Sequence, residues 1–238
     1  MCAPYGSLGL LGGICDYECH LQKQNIINQI SRAENITMEE QKKYSIIYAD
    51  PPWQFSNKNI GANGKSGAAS KYMTTSIEDL KAMDVNSITN DDAILFMWWV
   101  GSMPQEAIDL VKAWGFTLKN MNGIVWNKLT QKNNPHFGLG FWTRAGSESV
   151  LIATKGKIKP KSRSVRAVFN CESQVQFEGK ILRHSEKPKQ VRELILELTG
   201  DLPRLEMFNR DDSWDVFGNE SKNSIEIKCK TDSKETAQ

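Results

Sequence analysis

A nearly unbroken apolar run, Ala93 to Val100, is the feature that most constrains how this chain folds. Such a run is typical of a central parallel strand, because a strand of that kind is covered on both faces. A shorter run, Ser45 to Ala49, predicts a second buried strand earlier in the chain. Covering both faces of a sheet requires helices on each side, so the two runs predict an α/β protein.

Helical segments are predicted between the apolar runs. Ser76 is expected to cap a short helix. A second helix is expected to start at Ser102, with Gln105 at the capping-box position and Gly115 at its end. A third is expected from Lys189 to Thr199. This alternation predicts a doubly wound, Rossmann-like sheet. Its remaining strands are predicted at Gly123–Trp126, Ser149–Thr154, Arg204–Phe208 and Trp214–Phe217.

The length, 238 residues, suits one α/β domain. We expect this domain at 41–221, after a partly ordered N-terminal extension, 1–40, and before a polar tail, 222–238. Apolar runs of membrane-spanning length are absent, and no basic residues precede the apolar N-terminal stretch, which favours a cytoplasmic protein without a secretory signal. Cys15, Cys19 and His20 offer three metal ligands, but no second ligand pair follows, so reduced thiols and no metal site are expected.

The tetrapeptide Asp50-Pro51-Pro52-Trp53 directly follows the first predicted strand. Ligand sites of open α/β sheets lie at the carboxyl ends of strands, so its position predicts a functional site. The prolines remove two backbone donors, leaving a carboxylate and the Pro51 carbonyl to accept from an amine such as N6 of adenine. Trp53 offers a face for stacking a base. The N6 lone pair is delocalised into the ring, and these acceptors would stabilise the positive charge that develops on methylation.

Further segments, in order, extend the pattern. These are Lys71-Tyr72-Met73-Thr74-Thr75-Ser76, Gly140-Phe141-Trp142-Thr143-Arg144 with Glu148, His184-Ser185-Glu186-Lys187-Pro188, Leu205 to Arg210 and Gly218-Asn219-Glu220. Together with the tetrapeptide they resemble the MT-A70 family of adenine-N6 methyltransferases over residues 44–220. The resemblance implies S-adenosylmethionine as cofactor, and a permuted Rossmann-like order with the catalytic motif N-terminal and the cofactor motif C-terminal.

The resemblance also assigns residue roles. Lys187 would neutralise the carboxylate of the methionine moiety of the cofactor. Phe208, Arg210, Asn219 and Glu220 would complete the cofactor site. The residues expected to border the target base are Tyr72, Lys128, Arg144 and Glu148.

A basic stripe between residues 155 and 166 contains no acidic residue. It is predicted to contact phosphates, although a solvated loop would look the same. The basic residues of this stripe are Lys155, Lys157, Lys159, Lys161, Arg163 and Arg166. The predicted substrate is DNA rather than RNA, because compact members of the family resemble bacterial or phage DNA enzymes.

Three alternatives stay open from sequence. The chain could methylate RNA, or it could be a non-catalytic nucleic-acid-binding subunit, which the intact Asp50 and Trp53 disfavour. It could also methylate cytosine N4 or a glutamine side chain, but related motifs for those targets usually end in tyrosine. The cluster Trp98, Trp99 and Trp142 is compatible with core packing or with a subunit interface.

Overall fold

A computed structural model describes residues 42–54, 75–138, 140, 142–172, 176–177, 180–181, 187–208, 213–218 and 222–230. Three helices are present in this part of the chain: α1 (Ile77–Ala82), α2 (Pro104–Ala113) and α3 (Gln190–Thr199). The strands are β1 (Tyr44–Ala49), β2 (Thr89–Trp99), β3 (Thr117–Leu129), β4 (Ser147–Lys155), β5 (Val168–Glu172), β6 (Gln176–Phe177), β7 (Lys180–Ile181), β8 (Arg204–Met207) and β9 (Asp215–Phe217).

Seven strands form one sheet in the order β5-β3-β4-β2-β1-β8-β9, and β6 pairs with β7 separately. Within the seven-stranded sheet, β4 runs antiparallel to both of its neighbours, whereas all other adjacent strands of that sheet are parallel. The predicted α/β class is therefore confirmed, but the apolar run in β2 has one antiparallel neighbour and the sheet is mixed. The reason lies in the connection from β3 to β4, where Leu129 bridges back to Pro135 and the chain returns beside its own strand.

Both faces of the sheet are covered, as the apolar runs predicted. On one face, Ile47, Leu95 and Met97 join a core cluster with Leu110 of α2. On the other, residues of alternate parity pack in a second cluster with α3, whose members include Ile46, Tyr48, Phe96, Trp98 and Ile195. Since successive residues of β1 and β2 serve opposite faces, neither strand can carry polar residues until it leaves the core at its ends.

Several predicted boundaries are wrong, among them that of β3, which extends over Thr117–Leu129 rather than Gly123–Trp126. Two of the differences have a visible local cause. The second helix begins at Pro104 rather than Ser102, because proline suits the first helical turn and Met103 precedes it without a side-chain cap. Gln105 consequently donates from Nε2 to Asp109 Oδ1 at 2.8 Å and makes no capping box. Phe208 lies outside β8 because its φ of 68° falls in the left-handed region, where a strand cannot continue.

The predicted cap of α1 is confirmed, since Asp79 N–H donates to Ser76 Oγ at 3.1 Å. A buried ion pair joins α3 to β8. Arg192 donates from Nε to Glu206 Oε2 at 2.8 Å and from Nη2 to Oε1 at 2.7 Å. Among the residues that the structure describes, no helix has the length and apolar character needed to cross a membrane.

Candidate active site

The carboxyl ends of the parallel strands define one edge of the sheet, here called the catalytic edge. Asp50 leaves β1 at this edge, and its backbone N–H donates to the Met207 carbonyl at the end of β8 at 3.1 Å. β1 and β8 therefore deliver the predicted catalytic segment and the start of the predicted cofactor segment side by side. This juxtaposition follows from the strand order, because β8 pairs directly with β1.

The tetrapeptide is folded tightly onto itself and onto β2. Trp53 N–H donates to the Pro51 carbonyl at 2.7 Å, and its indole Nε1 donates to the Trp98 carbonyl at 3.0 Å. One acceptor position of the Pro51 oxygen is thus occupied, while a carbonyl has two. The Trp53 side chain is buried, with 6% of its surface exposed. The indole therefore anchors the tetrapeptide, and stacking of a base on it stays a prediction.

Lys187 occupies the space beside Asp50. Its Nζ lies 2.8 Å from Asp50 Oδ2 and 3.7 Å from Glu148 Oε2. Glu148 also pairs through Oε1 with Lys128 Nζ. Two carboxylates and two ammonium groups thus alternate along a chain from Asp50 through Lys187 and Glu148 to Lys128, which we call the charge chain. Opposite charges alternate and the formal charges cancel, which is the arrangement that makes partial burial of four ions tolerable.

Burial and pairing act on the pKa values of this chain in opposite directions. Burial raises the pKa of Asp50 above its usual range; the Lys187 ammonium works against this rise. For Glu148, burial would also raise the pKa, but Lys187 and Lys128 overcome it and the pKa is lowered. Burial would lower the pKa of Lys187, yet the two carboxylates raise it. Lys187 is therefore firmly cationic, and of the two carboxyl groups Asp50 is the one whose pKa the surroundings raise.

An aromatic floor lies beneath the charge chain. Lys187 Nζ lies 5.2 Å from the Trp98 ring centroid, and Lys128 Nζ lies 4.6 Å from the Trp126 ring. The two tryptophans meet edge-to-face at 6.4 Å, and Trp98 Nε1 donates to the Tyr48 hydroxyl at 2.7 Å. Sequence reasoning did not assign Tyr48 or Trp126 to the site. The signal was available for Trp126, because it lies two residues before Lys128 and so shares its face of β3.

The predicted cofactor segment is described only in part. Phe208 N–H donates to the Phe217 carbonyl at 2.6 Å, and the two rings meet edge-to-face at 6.3 Å. A Cβ on Gly218 would lie 3.1 Å from Phe208 Cα, so the ends of β8 and β9 approach closely. Phe208 thus lies at the catalytic edge, next to the strand that carries Asp50. Arg210, Asn219 and Glu220 lie outside the described residues, as do Tyr72 and the triplet Cys15, Cys19 and His20.

The basic stripe is not brought to the catalytic edge. Because β4 is reversed, Lys155 pairs with Ala93, which precedes Trp98 by roughly 16 Å along β2. Its Nζ donates to Thr89 Oγ1 at 2.9 Å. Lys161 lies beside the end of α3, since its N–H donates to the Leu198 carbonyl at 2.8 Å. Lys157, Lys159 and Arg163 are exposed along the same segment. The phosphate-binding role of the stripe stays a prediction, and it belongs to the opposite edge of the sheet.

Arg144 follows a different course from the other predicted base contacts. Lys128 and Glu148 meet in the charge chain, whereas Arg144 is exposed on the connection from β3 to β4. Its guanidinium lies 4.9 Å from the ring centroid of Phe137. The three tryptophans that sequence left unassigned also separate: Trp98 is buried core, Trp99 is half-buried with Nε1 donating to the Met121 carbonyl, and Trp142 is fully exposed.

Comparisons with known proteins identify the family of the chain. The family model of MT-A70 matches residues 44–220. The chain is 37% identical over 203 residues to the Type II methyltransferase M.MunI of a Mycoplasma species, covering 78% of this chain and 82% of that protein. It is 24% identical over 184 residues to the N(6)-adenosine-methyltransferase MT-A70-like protein of Drosophila melanogaster, covering 75% of this chain and 27% of that protein.

Proposed function

The chain belongs to the MT-A70 family of methyltransferases, and on that premise we propose that it methylates N6 of adenine in DNA with S-adenosylmethionine as the donor. The observation that carries the proposal is the position of Asp50. A half-buried carboxylate with a raised pKa stands at the catalytic edge, directly beside the strand that leads to the predicted cofactor segment. The permuted motif order is part of the same proposal.

Asp50 is suited to hold an exocyclic amine. Lys187 engages Oδ2, and a carboxylate has acceptor capacity on both oxygens, so a substrate N–H can be accepted without breaking the ion pair. The negative charge then stabilises the cationic nitrogen that forms as the methyl group arrives. Because burial raises the pKa of Asp50, this carboxylate is also a better base than an exposed aspartate and can take the proton that the methylated nitrogen loses.

The charge chain fits the proposed cofactor chemically. S-adenosylmethionine carries a carboxylate, an ammonium and a sulfonium, and when bound it supplies an electrophilic methyl group. Lys187 can neutralise the carboxylate, while Asp50 and Glu148 can face cationic groups. Phe208 would border the cofactor from the end of β8; Arg210, Asn219 and Glu220 would complete its site. Glu148 acts on Lys187 from the far side and helps to keep it charged, while Lys128 holds Glu148 through its other oxygen.

Support for DNA comes from the comparisons and from site access. The 37% identical relative is named a Type II methyltransferase and is matched over 82% of its length, whereas the adenosine methyltransferase relative is matched over 27%. Asp50 lies at the edge of the sheet with 21% of its side chain exposed. A base inside a duplex cannot reach such a position, so the proposal requires that the adenine be flipped out of the helix. Tyr72, Arg144 and the basic stripe are proposed substrate contacts.

The test is transfer of label from radiolabelled S-adenosylmethionine to single- and double-stranded DNA and RNA of matched sequence, followed by mass spectrometry of the nucleosides. The proposal expects N6-methyladenine, formed faster in DNA than in RNA. Faster labelling of RNA would identify RNA rather than DNA as the substrate. Formation of N4-methylcytosine would identify cytosine rather than adenine as the target base. Cofactor binding without transfer to any polymer would instead support a non-catalytic subunit.

A further inference from the structure

The connection between β3 and β4 projects from the catalytic edge and carries exposed aromatic side chains. We call its described residues between 130 and 146 the arm. Trp142 is fully exposed and Phe137 is 75% exposed, in a protein whose other described tryptophans are at least partly buried. A large apolar side chain held in water is unfavourable, so such a residue indicates a contact with something outside the fold.

The arm has a defined backbone. Gly138 N–H donates to the Ala145 carbonyl at 2.8 Å, and Ala145 N–H returns to the Gly138 carbonyl at 3.3 Å. A Cβ at Gly140 would lie 2.4 Å from the Thr143 carbonyl oxygen, so this turn admits only glycine there. Trp142 itself has a φ of 64°, which bulky residues rarely adopt. The backbone geometry of the turn therefore holds the Trp142 indole in solvent.

The arm leads directly into the charge chain. Lys128 N–H donates to the Gly146 carbonyl at 2.8 Å, and Glu148 follows two residues later. Trp142 and Glu148 are six positions apart in the sequence. An extended chain of that length spans at most about 20 Å. The exposed indole thus lies within about 20 Å of Glu148, a distance that about six stacked nucleotides at 3.4 Å each would span.

The charge of the arm matches a polyanion. Residues 129 to 147 contain Lys132, His136 and Arg144 and no acidic residue. Arg144 lies against the exposed Phe137 ring, which leaves a cation and two aromatic faces on one short segment. This combination favours nucleic acid, since cations contact phosphates while aromatic rings stack on bases. An apolar protein partner would not call for the excess of positive charge.

We propose that Trp142 is a wedge that enters the base stack next to the target adenine and occupies the space left when that base turns out. This inference rests on the proposed function, because a wedge is needed only where a paired base is extracted. Aromatic and aliphatic side chains inserted at a base step unstack it, and the inserted ring replaces the stacking that the duplex loses. Trp142 is therefore a positioning residue that touches DNA beside the target, while Asp50 contacts the reacting amine.

The experiment compares two duplexes around an adenine that the wild-type enzyme methylates. One duplex is fully paired, and the other lacks the base opposite the target, so that its adenine turns out without help. Trp142→Ala is expected to slow methylation of the paired duplex at least about tenfold and of the unpaired one less than threefold. Trp142→Phe, which keeps an aromatic ring, should recover much of the rate that Trp142→Ala loses on the paired duplex. Val168→Ala, which trims an exposed apolar residue of β5, is the matched control and should change neither rate.

The outcomes separate cleanly. Equal losses on both duplexes would overturn the wedge, since Trp142 would then serve folding or general binding. No loss on either would also overturn it and would leave the arm as a surface for a protein partner. If the wild-type enzyme methylates no DNA while it binds the cofactor, the proposed function itself fails and the wedge falls with it. Melting temperatures should match across all variants because the replaced side chains are exposed.

Discussion

Two ion pairs among the described residues are largely buried, yet they are arranged differently. Arg192 and Glu206 face each other through two parallel hydrogen bonds, and Glu206 is fully buried between β8 and α3. Lys187 and Asp50 share one contact at the catalytic edge, and Lys187 has Glu148 as a second, more distant partner. In the first pair both carboxylate oxygens are engaged. The second keeps acceptor capacity and is reachable from solvent.

This difference separates an ion pair that only stabilises the fold from one that is able to bind a ligand. A bidentate pair deep under a helix compensates its own burial and cannot be reached by a ligand. A pair at the end of a strand, with a lysine between two carboxylates, can exchange partners at small cost. The exposure of the cation does not distinguish them, since both cationic side chains are 10% exposed, whereas the exposure of the carboxylate and the number of shared hydrogen bonds do.

The largest expected effect breaks the structural pair. Glu206→Leu leaves the Arg192 guanidinium without its carboxylate and should lower the free energy of unfolding by about 3–5 kcal/mol. Replacing both partners, as Arg192→Met with Glu206→Leu, should recover most of that loss because no unpaired charge remains buried. Chemical denaturation of the wild type, Glu206→Leu and the double variant measures this. If the double variant is as unstable as the single one, the pair contributes more than mutual neutralisation.

A second prediction concerns the Lys187–Asp50 pair and the pH dependence of the methylation rate. Under the proposed mechanism methyl transfer needs the ionised Asp50, so activity should fall as pH drops through the pKa of this carboxyl. Lys187 lowers that pKa and Glu148 raises it. Lys187→Met should therefore move the acidic limb of the rate profile to higher pH, and Glu148→Gln should move it to lower pH. Rates at saturating cofactor check this, with Lys155→Met at the opposite edge as the control that leaves the limb unmoved.

The smallest expected effects concern exposed cations. Each phosphate contact contributes about one unit to the slope of log affinity for DNA against log salt concentration. Lys132→Gln with Arg144→Gln, on the arm, should reduce this slope by about two. Replacing Lys157, Lys159 and Lys161 together tests the basic stripe. A reduction of about three would extend the DNA contact to the opposite edge, and an unchanged slope would confine it to the catalytic edge.

Sequence reasoning worked best where local pattern decides structure. The apolar runs predicted β1 and β2, and the Ser76 cap was found correctly, because periodicity and capping depend on neighbours in the chain. It failed where a distant segment decides. The reversal of β4 depends on the β3–β4 connection, and that reversal carries the basic stripe away from Asp50.

The candidate site divides in the same way. The motif resemblance selected Asp50, Lys128, Glu148 and Lys187, and the structure brings these four side chains into one chain of contacts. Their pairing order was not predictable, since it depends on how far β1, β3 and β4 extend at the catalytic edge. The burial of Trp53 was not predictable either, because its indole N–H donates to a backbone carbonyl of β2, which the sequence pattern does not reveal.

The central claim is that Asp50 at the catalytic edge performs methyl transfer to adenine. The most direct measurement is the N6-methyladenine content of DNA after incubation with wild-type protein, Asp50→Asn and, as a matched control, Asp84→Asn, each with saturating S-adenosylmethionine. We expect Asp50→Asn to lower the initial rate by about a thousandfold while its melting temperature and cofactor binding persist, and Asp84→Asn to behave as wild type. An Asp50→Asn rate within about threefold of wild type would contradict the account.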